Sequence, residues 1–218
     1  MSRGDQSRLK ANLRVFPLEY ETPFPEADPL HPIRLAEYQD IPALAAMLAR
    51  AFDKDPFWRW IVGDQPEYQQ RLTQGFATQL RHLALPGGLV WTGAEHQGAA
   101  LWSAPGQWQF GILQQLRLIP EFVQITGWRR LWETSRAIDA VQQAHPDTPH
   151  YYLQVLGVDP VHQGQGWSRP FLEKVLVQCD QQGMPAYLET AEESNLSLYQ
   201  RFGFNVSCTL TELPGKAP

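Results

Sequence analysis

Apolar residues recur along this chain at two distinct spacings. Ile41, Leu44, Ala45, Leu48 and Phe52 fall three and four residues apart, so they share one face of a helix over 41–52. Asp40 stands at its N-cap position and Pro42 in its first turn, both favourable at a helix start. Asp55-Pro56 stops it, because the residue before a proline is pushed out of the helical region. A second helical stretch runs from about Pro66 to Leu85, with Leu72, Phe76, Leu80 and Leu83 aligned. Residues 105–145 are mostly helical, interrupted at Pro120 and Gly127. Phe171, Leu172, Val175, Leu176 and Cys179 mark a helix that Gly183 closes, and a short helix spans about 195–202. Strands are predicted where the spacing falls to two or the run is short and apolar: 33–35, a hairpin of 89–92 and 99–102, 151–158, 186–190 and 204–210. This order of elements is mixed α/β, without an internal repeat.

The first 32 residues break the pattern. Pro17, Pro23, Pro25, Pro29 and Pro32 give a Pro-rich extension with one strand-like stretch, Leu13 to Tyr20. The domain is then expected over 33–213, with 214–218 as a tail. In 218 residues, 43% hydrophobic and 19% charged content supports a full core and argues against a disordered chain. A net charge of −5 without a Lys/Arg cluster leaves no footprint for nucleic acid. No run of about 18 apolar residues exists, and the N-terminus has no signal-peptide core, so no membrane association is expected. Cys179 and Cys208 are too few for a disulfide framework and fit a reducing cytoplasm. The six histidines show no i, i+4 pair and no neighbouring Cys pair, so no metal is expected.

The segment Val158-Asp159-Pro160-Val161-His162-Gln163-Gly164-Gln165-Gly166-Trp167-Ser168 lies between a strand and a helix. Glycines at such a junction turn backbone N–H groups into one concavity at the positive end of the helix, a setting for phosphate. It is neither a nucleotide P-loop nor the dinucleotide fingerprint, since position 169 is Arg. Gln163 to Ser168 instead match the first two fixed positions of Q/R-x-x-G-x-G/A; Ser168 stands where Gly or Ala is usual, and is a fair N-cap. Downstream stand Pro185-Ala186-Tyr187-Leu188-Glu189-Thr190 and Asn195-Leu196-Ser197-Leu198-Tyr199-Gln200-Arg201-Phe202-Gly203-Phe204. With the Gly-rich loop, these segments resemble the GNAT superfamily of acetyl-CoA-dependent N-acetyltransferases, and within it the puromycin N-acetyltransferases. The resemblance is dense over about 149–206, looser over 33–62, weak over 105–145 and absent over 1–32.

That resemblance implies a central, mixed, mostly antiparallel sheet flanked by helices. It implies direct transfer of an acetyl group from acetyl-CoA to a primary amine, a small molecule being favoured, by a monomer or homodimer. Leu156, Gly157 and Val158 would face the pantetheine arm, with the Val158 N–H as oxyanion donor. The loop Gln163, Gly164, Gln165, Gly166, Trp167 and Ser168 would hold the pyrophosphate. Asn195 would bond the cofactor arm, or else simply cap its helix. Tyr199 would be the general acid, or else a core aromatic beside Leu196 and Phe202. Glu189, at a strand end, would be the general base, bind the ammonium, or sit exposed. Asp53 and Asp55 are weaker carboxylate candidates. Phe57, Trp58, Trp60, Trp102, Trp108 and Phe110 are candidates for an aromatic acceptor pocket, or ordinary core. A protein of this fold that binds acyl-CoA without turnover is the alternative, and a nucleotide-binding α/β protein a weaker one. After 204–210 the family would run one further strand, for which no residues remain, so the final strand is expected to be missing. The Leu13–Tyr20 stretch is the only spare segment to cover the exposed edge, and Pro17 would confine it to an edge or a bulge.

Overall fold

The computed structural model describes residues 9–14, 30–65, 67–109, 111–210 and 213. Its strands are β1 (Leu9–Arg14), β2 (Ile33–Leu35), β3 (Val90–Gly93), β4 (Gly98–Ser103), β5 (Tyr151–Val158), β6 (Ala186–Thr190) and β7 (Asn205–Leu210). They form one seven-stranded sheet in the order β2-β3-β4-β5-β6-β1-β7. Every neighbouring pair is antiparallel except β5 and β6, which run parallel.

The position of β1 corrects the expected missing strand. Residues 9–14, from the segment read as an extension, lie inside the sheet between β6 and β7 and pair with both. The strand-like stretch was expected at 13–20 and on an edge; the strand ends at Arg14, before the prolines, and only its bulge between Ala11 and Asn12 departs from regular pairing. Residues 15–20 lie outside the described residues. Burial explains why so short a segment is held there. Leu9, Ala11 and Asn12 are buried, and the buried Arg14 forms an ion pair with Asp180 of the neighbouring helix at 2.9 Å.

Helices cover both faces. On one face α1 (Ile41–Ala51), α2 (Pro56–Val62) and α3 (Tyr68–Gln79) pack Leu44, Leu48, Leu72 and Phe76 on the sheet. Gly157 lets α1 approach β5 closely: a Cβ there would stand 2.6 Å from Leu48 Cδ2 and 3.0 Å from Phe52 Cε2. On the other face α6 (Ser168–Gln182) buries Phe171, Leu172, Val175, Leu176 and Cys179 completely, the stripe its sequence predicts. The short α7 (Leu196–Arg201) joins the same core through Tyr199.

Four local details differ from the sequence expectation. Asp40 is at the N-cap position of α1, but its carboxylate does not cap it; it accepts from Arg34, His96 and the Glu37 N–H. Asp55-Pro56 begins α2 as well as following α1, because Asp55 caps the Trp58 N–H and Pro56 fits the first helical turn. The helix after residue 67 continues past α3 through a π turn, Leu80–Ala84. Finally, α4 (Ile112–Thr126) runs through Pro120, and the break comes only at Gly127, whose φ of 77° ends the helix before α5 (Leu131–Gln143).

Candidate active site

β5 pairs with β6 only over Tyr151–Leu153, while β4 follows it to Val158. From Gln154 onward the two parallel strands therefore have no ladder between them, and a cleft opens in the sheet. The Asp159 N–H donates to Gln97 O at 2.9 Å, on the β4 side. Neighbouring residues of a strand present their backbone groups to opposite sides, so Val158 and Leu156 face the cleft and Gly157 faces β4. The Val158 carbonyl already accepts from Gln163 Nε2 at 3.1 Å, which ties the Gly-rich loop to the strand end.

In that loop Gly164 and Gly166 have φ of 74° and 91°, a conformation that favours glycine. Among the described residues, no acceptor takes the N–H groups of Gly164, Gln165, Gly166 or Trp167. Trp167 is buried as the loop's anchor, edge-on to His31 at 4.8 Å and stacked on Phe171 at 6.2 Å. The N-cap position of α6 belongs to Trp167; Ser168, expected there, is the first helical residue. His31 Nε2 donates to Gln165 O at 2.8 Å and so braces the loop from the N-terminal side.

Beside the cleft lies a cavity of about 270 Å³. Leu156, Glu189, Asn195 and Tyr199 line it together with Phe57, Trp58 and Trp108. Leu9 of β1 and residues of α3, α4, α5, β5 and β6 add to the wall. Asn195 is at the N-cap position of α7, yet its side chain caps no backbone group, so its amide stays available at the cavity wall. Two of the aromatic candidates do not reach this space. Trp102 is fully buried on the α6 side of the sheet with Phe171 and Leu172, because β4 turns alternate side chains to opposite faces. Trp60 stacks on Phe57 at 6.3 Å and carries the Arg130 guanidinium over its ring at 5.3 Å, away from the cavity. Phe110 lies outside the described residues. Asp53 stays at the surface with Arg59 and Gln69.

Burial sets the electrostatics. Asp55 lines the cavity, and desolvation raises its pKa to about 6 against the opposing hydrogen bond from Trp58 N–H. Tyr199 is pushed well above the usual phenol value, first by burial and then by the Asp55 charge, so it keeps its proton. Its hydroxyl has no hydrogen-bond partner among the described residues.

Glu189 is not exposed: its side chain is 6% accessible. His145 Nε2 lies 3.2 Å from Glu189 Oε1, and His145 Nδ1 lies 3.0 Å from His150 Nε2. Trp108 stacks on the His145 ring at 3.8 Å. Tyr152 and Tyr187 close the cluster, their phenols pushed up by burial first and by the Glu189 carboxylate second. These two histidines and two tyrosines went unassigned in the sequence. Their signal is slight, two histidines five apart around prolines ahead of β5, without the periodicity of a helix or a strand.

The model of the Acetyltransferase (GNAT) family matches residues 123–204. An uncharacterised N-acetyltransferase of Schizosaccharomyces pombe is 27% identical over 180 residues, covering 77% of this chain and 72% of that protein. A solved structure from Corynebacterium glutamicum, described as histone acetyltransferase HPA2 and related acetyltransferase, superposes with a TM-score of 0.60. It is 26% identical and covers 79% of this chain and 83% of its own.

Proposed function

The chain belongs to the GNAT superfamily of acetyltransferases, and we propose that it moves the acetyl group of acetyl-CoA directly to the primary amine of a small apolar molecule. The observation that carries this reading is the cleft: an unpaired β5 edge that runs from a Gly-rich anion cradle to a buried cavity with an acid and a base in its wall.

The residues fit the cosubstrate. Free N–H groups at 164–167, next to the N-terminus of a 15-residue helix, suit a pyrophosphate. A Cβ on Gly166 would stand in ordinary contact with the His31 ring at 3.6 Å, but the φ of 91° strains any other residue there, and a glutamate adds a negative charge beside the cradle. The backbone groups of Leu156 and Val158 on the open edge suit the amides of a pantetheine arm. Acetyl-CoA would supply the activated acyl thioester. The Val158 N–H then stabilises the carbonyl oxygen as it gains charge. Glu189 takes a proton from the amine, and Tyr199 donates its hydroxyl proton to the departing thiolate. Both described cysteines lie outside the cavity, Cys179 in the core and Cys208 on β7, which favours direct transfer over an acyl-cysteine. Phe57, Trp58 and Trp108 make the acceptor end aromatic, which suits an apolar amine.

The test is thiol release from acetyl-CoA over a panel of arylalkyl, alkyl and polar amines, beside Gly166→Glu. Turnover with the apolar amines, lost in Gly166→Glu together with the thermal shift on acetyl-CoA, is the expected result. Acetyl-CoA binding without turnover on any amine points to the non-catalytic alternative.

A further inference from the structure

The hydrogen bonds behind Glu189 fix where protons sit. His150 Nδ1 lies 2.8 Å from the Thr148 carbonyl, which only accepts, so this nitrogen carries a hydrogen. His150 is buried, and burial disfavours its cation. Its Nε2 is therefore a lone pair, and the His145 Nδ1 at 3.0 Å must donate to it. With Nδ1–H so engaged, His145 turns Nε2 to Glu189 Oε1 at 3.2 Å, and in the neutral imidazole that nitrogen is a lone pair. The two side chains are 2% and 6% accessible, and Oε1 receives no well-directed hydrogen bond from the protein. In that form two buried acceptors face each other, and one proton between them would satisfy both.

We propose that His145 is a positioning residue for the base. His150 locks it in the Nδ1–H tautomer, and the Glu189–His145 pair together takes one proton from an acceptor amine that arrives as ammonium. The inference rests on the reading of Glu189 as base. The step balances: the ammonium N–H bond breaks, its electron pair stays on nitrogen for attack, and the proton moves to Glu189 Oε1, shared with His145 Nε2. The substrate goes from +1 to neutral and the pair from −1 to neutral. The other titratable groups facing the pair are His150, Tyr152 and Tyr187, while Trp108 covers the imidazole face. Both tyrosines hold their protons, and the hydrogen on His150 Nδ1 is tied to a carbonyl, so none of the three supplies the missing proton. The acceptor is therefore recognised as a cation with an apolar body, and a neutral isostere of equal size lacks the proton that the pair takes up.

The experiment is imidazole nitrogen NMR on the full chain labelled with ¹⁵N-histidine, from pH 5 to 9, with turnover of the variants alongside. The proposal expects His145 Nδ1 to stay protonated throughout and Nε2 to gain its proton in one step that Glu189→Gln alters. His150→Leu should release the tautomer and lower kcat. His150→Gln, whose amide oxygen can accept from Nδ1–H, should recover part of that loss. His145→Gln should lower kcat roughly tenfold to a hundredfold, less than loss of a base itself, with the KM for acetyl-CoA little changed. A His145 found as the Nε2–H tautomer in the native protein overturns the proposal whatever the variants do. So does wild-type turnover in His145→Gln where Glu189→Gln is inactive. Normal turnover in Glu189→Gln removes the base, and this proposal with it.

Discussion

Removing residues 1–14 should do more than trim a flexible end. β1 pairs five residues with β6 and five with β7, and among the described residues β7 has no other partner in the sheet. Without β1, the β6 edge loses its ladder in a buried setting, since Ala186, Tyr187, Leu188 and Thr190 are all buried. Five antiparallel pairs leave about five backbone groups of β6 without partners, at roughly 1–3 kcal/mol each. The sum, roughly 5–15 kcal/mol, equals the whole stability of an ordinary domain. Asp180 would also lose the buried Arg14, and Leu9 would leave the cavity wall. The truncated protein should therefore unfold or aggregate. If it folds, its Tm should fall by at least about 10 °C, since each kcal/mol shifts a domain of this size by about 2–4 °C. Thermal melts and light scattering read the effect, and a synthetic peptide of residues 1–30 added in trans should restore part of the lost stability. Ala11→Asp, a charge at a fully buried position of the intact strand, should act in the same direction. A truncated protein with unchanged Tm and unchanged particle mass would refute the argument, because the sheet would then close without β1.

Two further outcomes follow from the cavity. Tyr199→Phe keeps the buried ring and removes a hydroxyl with no protein partner among the described residues, so turnover should fall by about 10²–10⁴ while Tm and acetyl-CoA binding change little; near-normal turnover, measured where chemistry limits the rate, would make Tyr199 a packing residue only. Asp55→Asn tests the buried carboxylate by pH: a folded-state pKa raised from 3.8 to about 6 means that the stability linked to its protonation is present below the unfolded value and lost as pH rises through about 6. Asn keeps the cap on Trp58 N–H, so its stability relative to Asp should rise by up to roughly 3 kcal/mol between pH 4 and 7, and a pH-independent difference would show that Asp55 is not desolvated as described.

Much of the fold was legible along the chain because it is local. The stripes of α1 and α6, the β3–β4 hairpin and the strands β5 and β6 follow from the spacing of apolar residues, which decides the buried face wherever the neighbour lies. The Gly-rich loop was legible for a similar reason: backbone freedom at Gly164 and Gly166 is a property of the residues themselves. Local rules failed where a distant partner prevails. Asp40 gives up its cap for Arg34 and His96, and Pro120 stays inside a helix that Gly127 ends. Residues 9–14 carry little strand signal, yet the buried edge of β6, with hydrogen-bonding groups to satisfy, draws them in between β6 and β7. Trp102 and Trp108 look alike in sequence; the facing of β4 sends one into the core under α6, and the turn before α4 sets the other on His145. The site depends on tertiary structure most of all. Glu189 lies 44 residues beyond His145 in the chain, and only the splay of β5 from β6, with the helices laid over it, brings the carboxylate, His145 and Tyr199 to one cavity, with His150 behind His145.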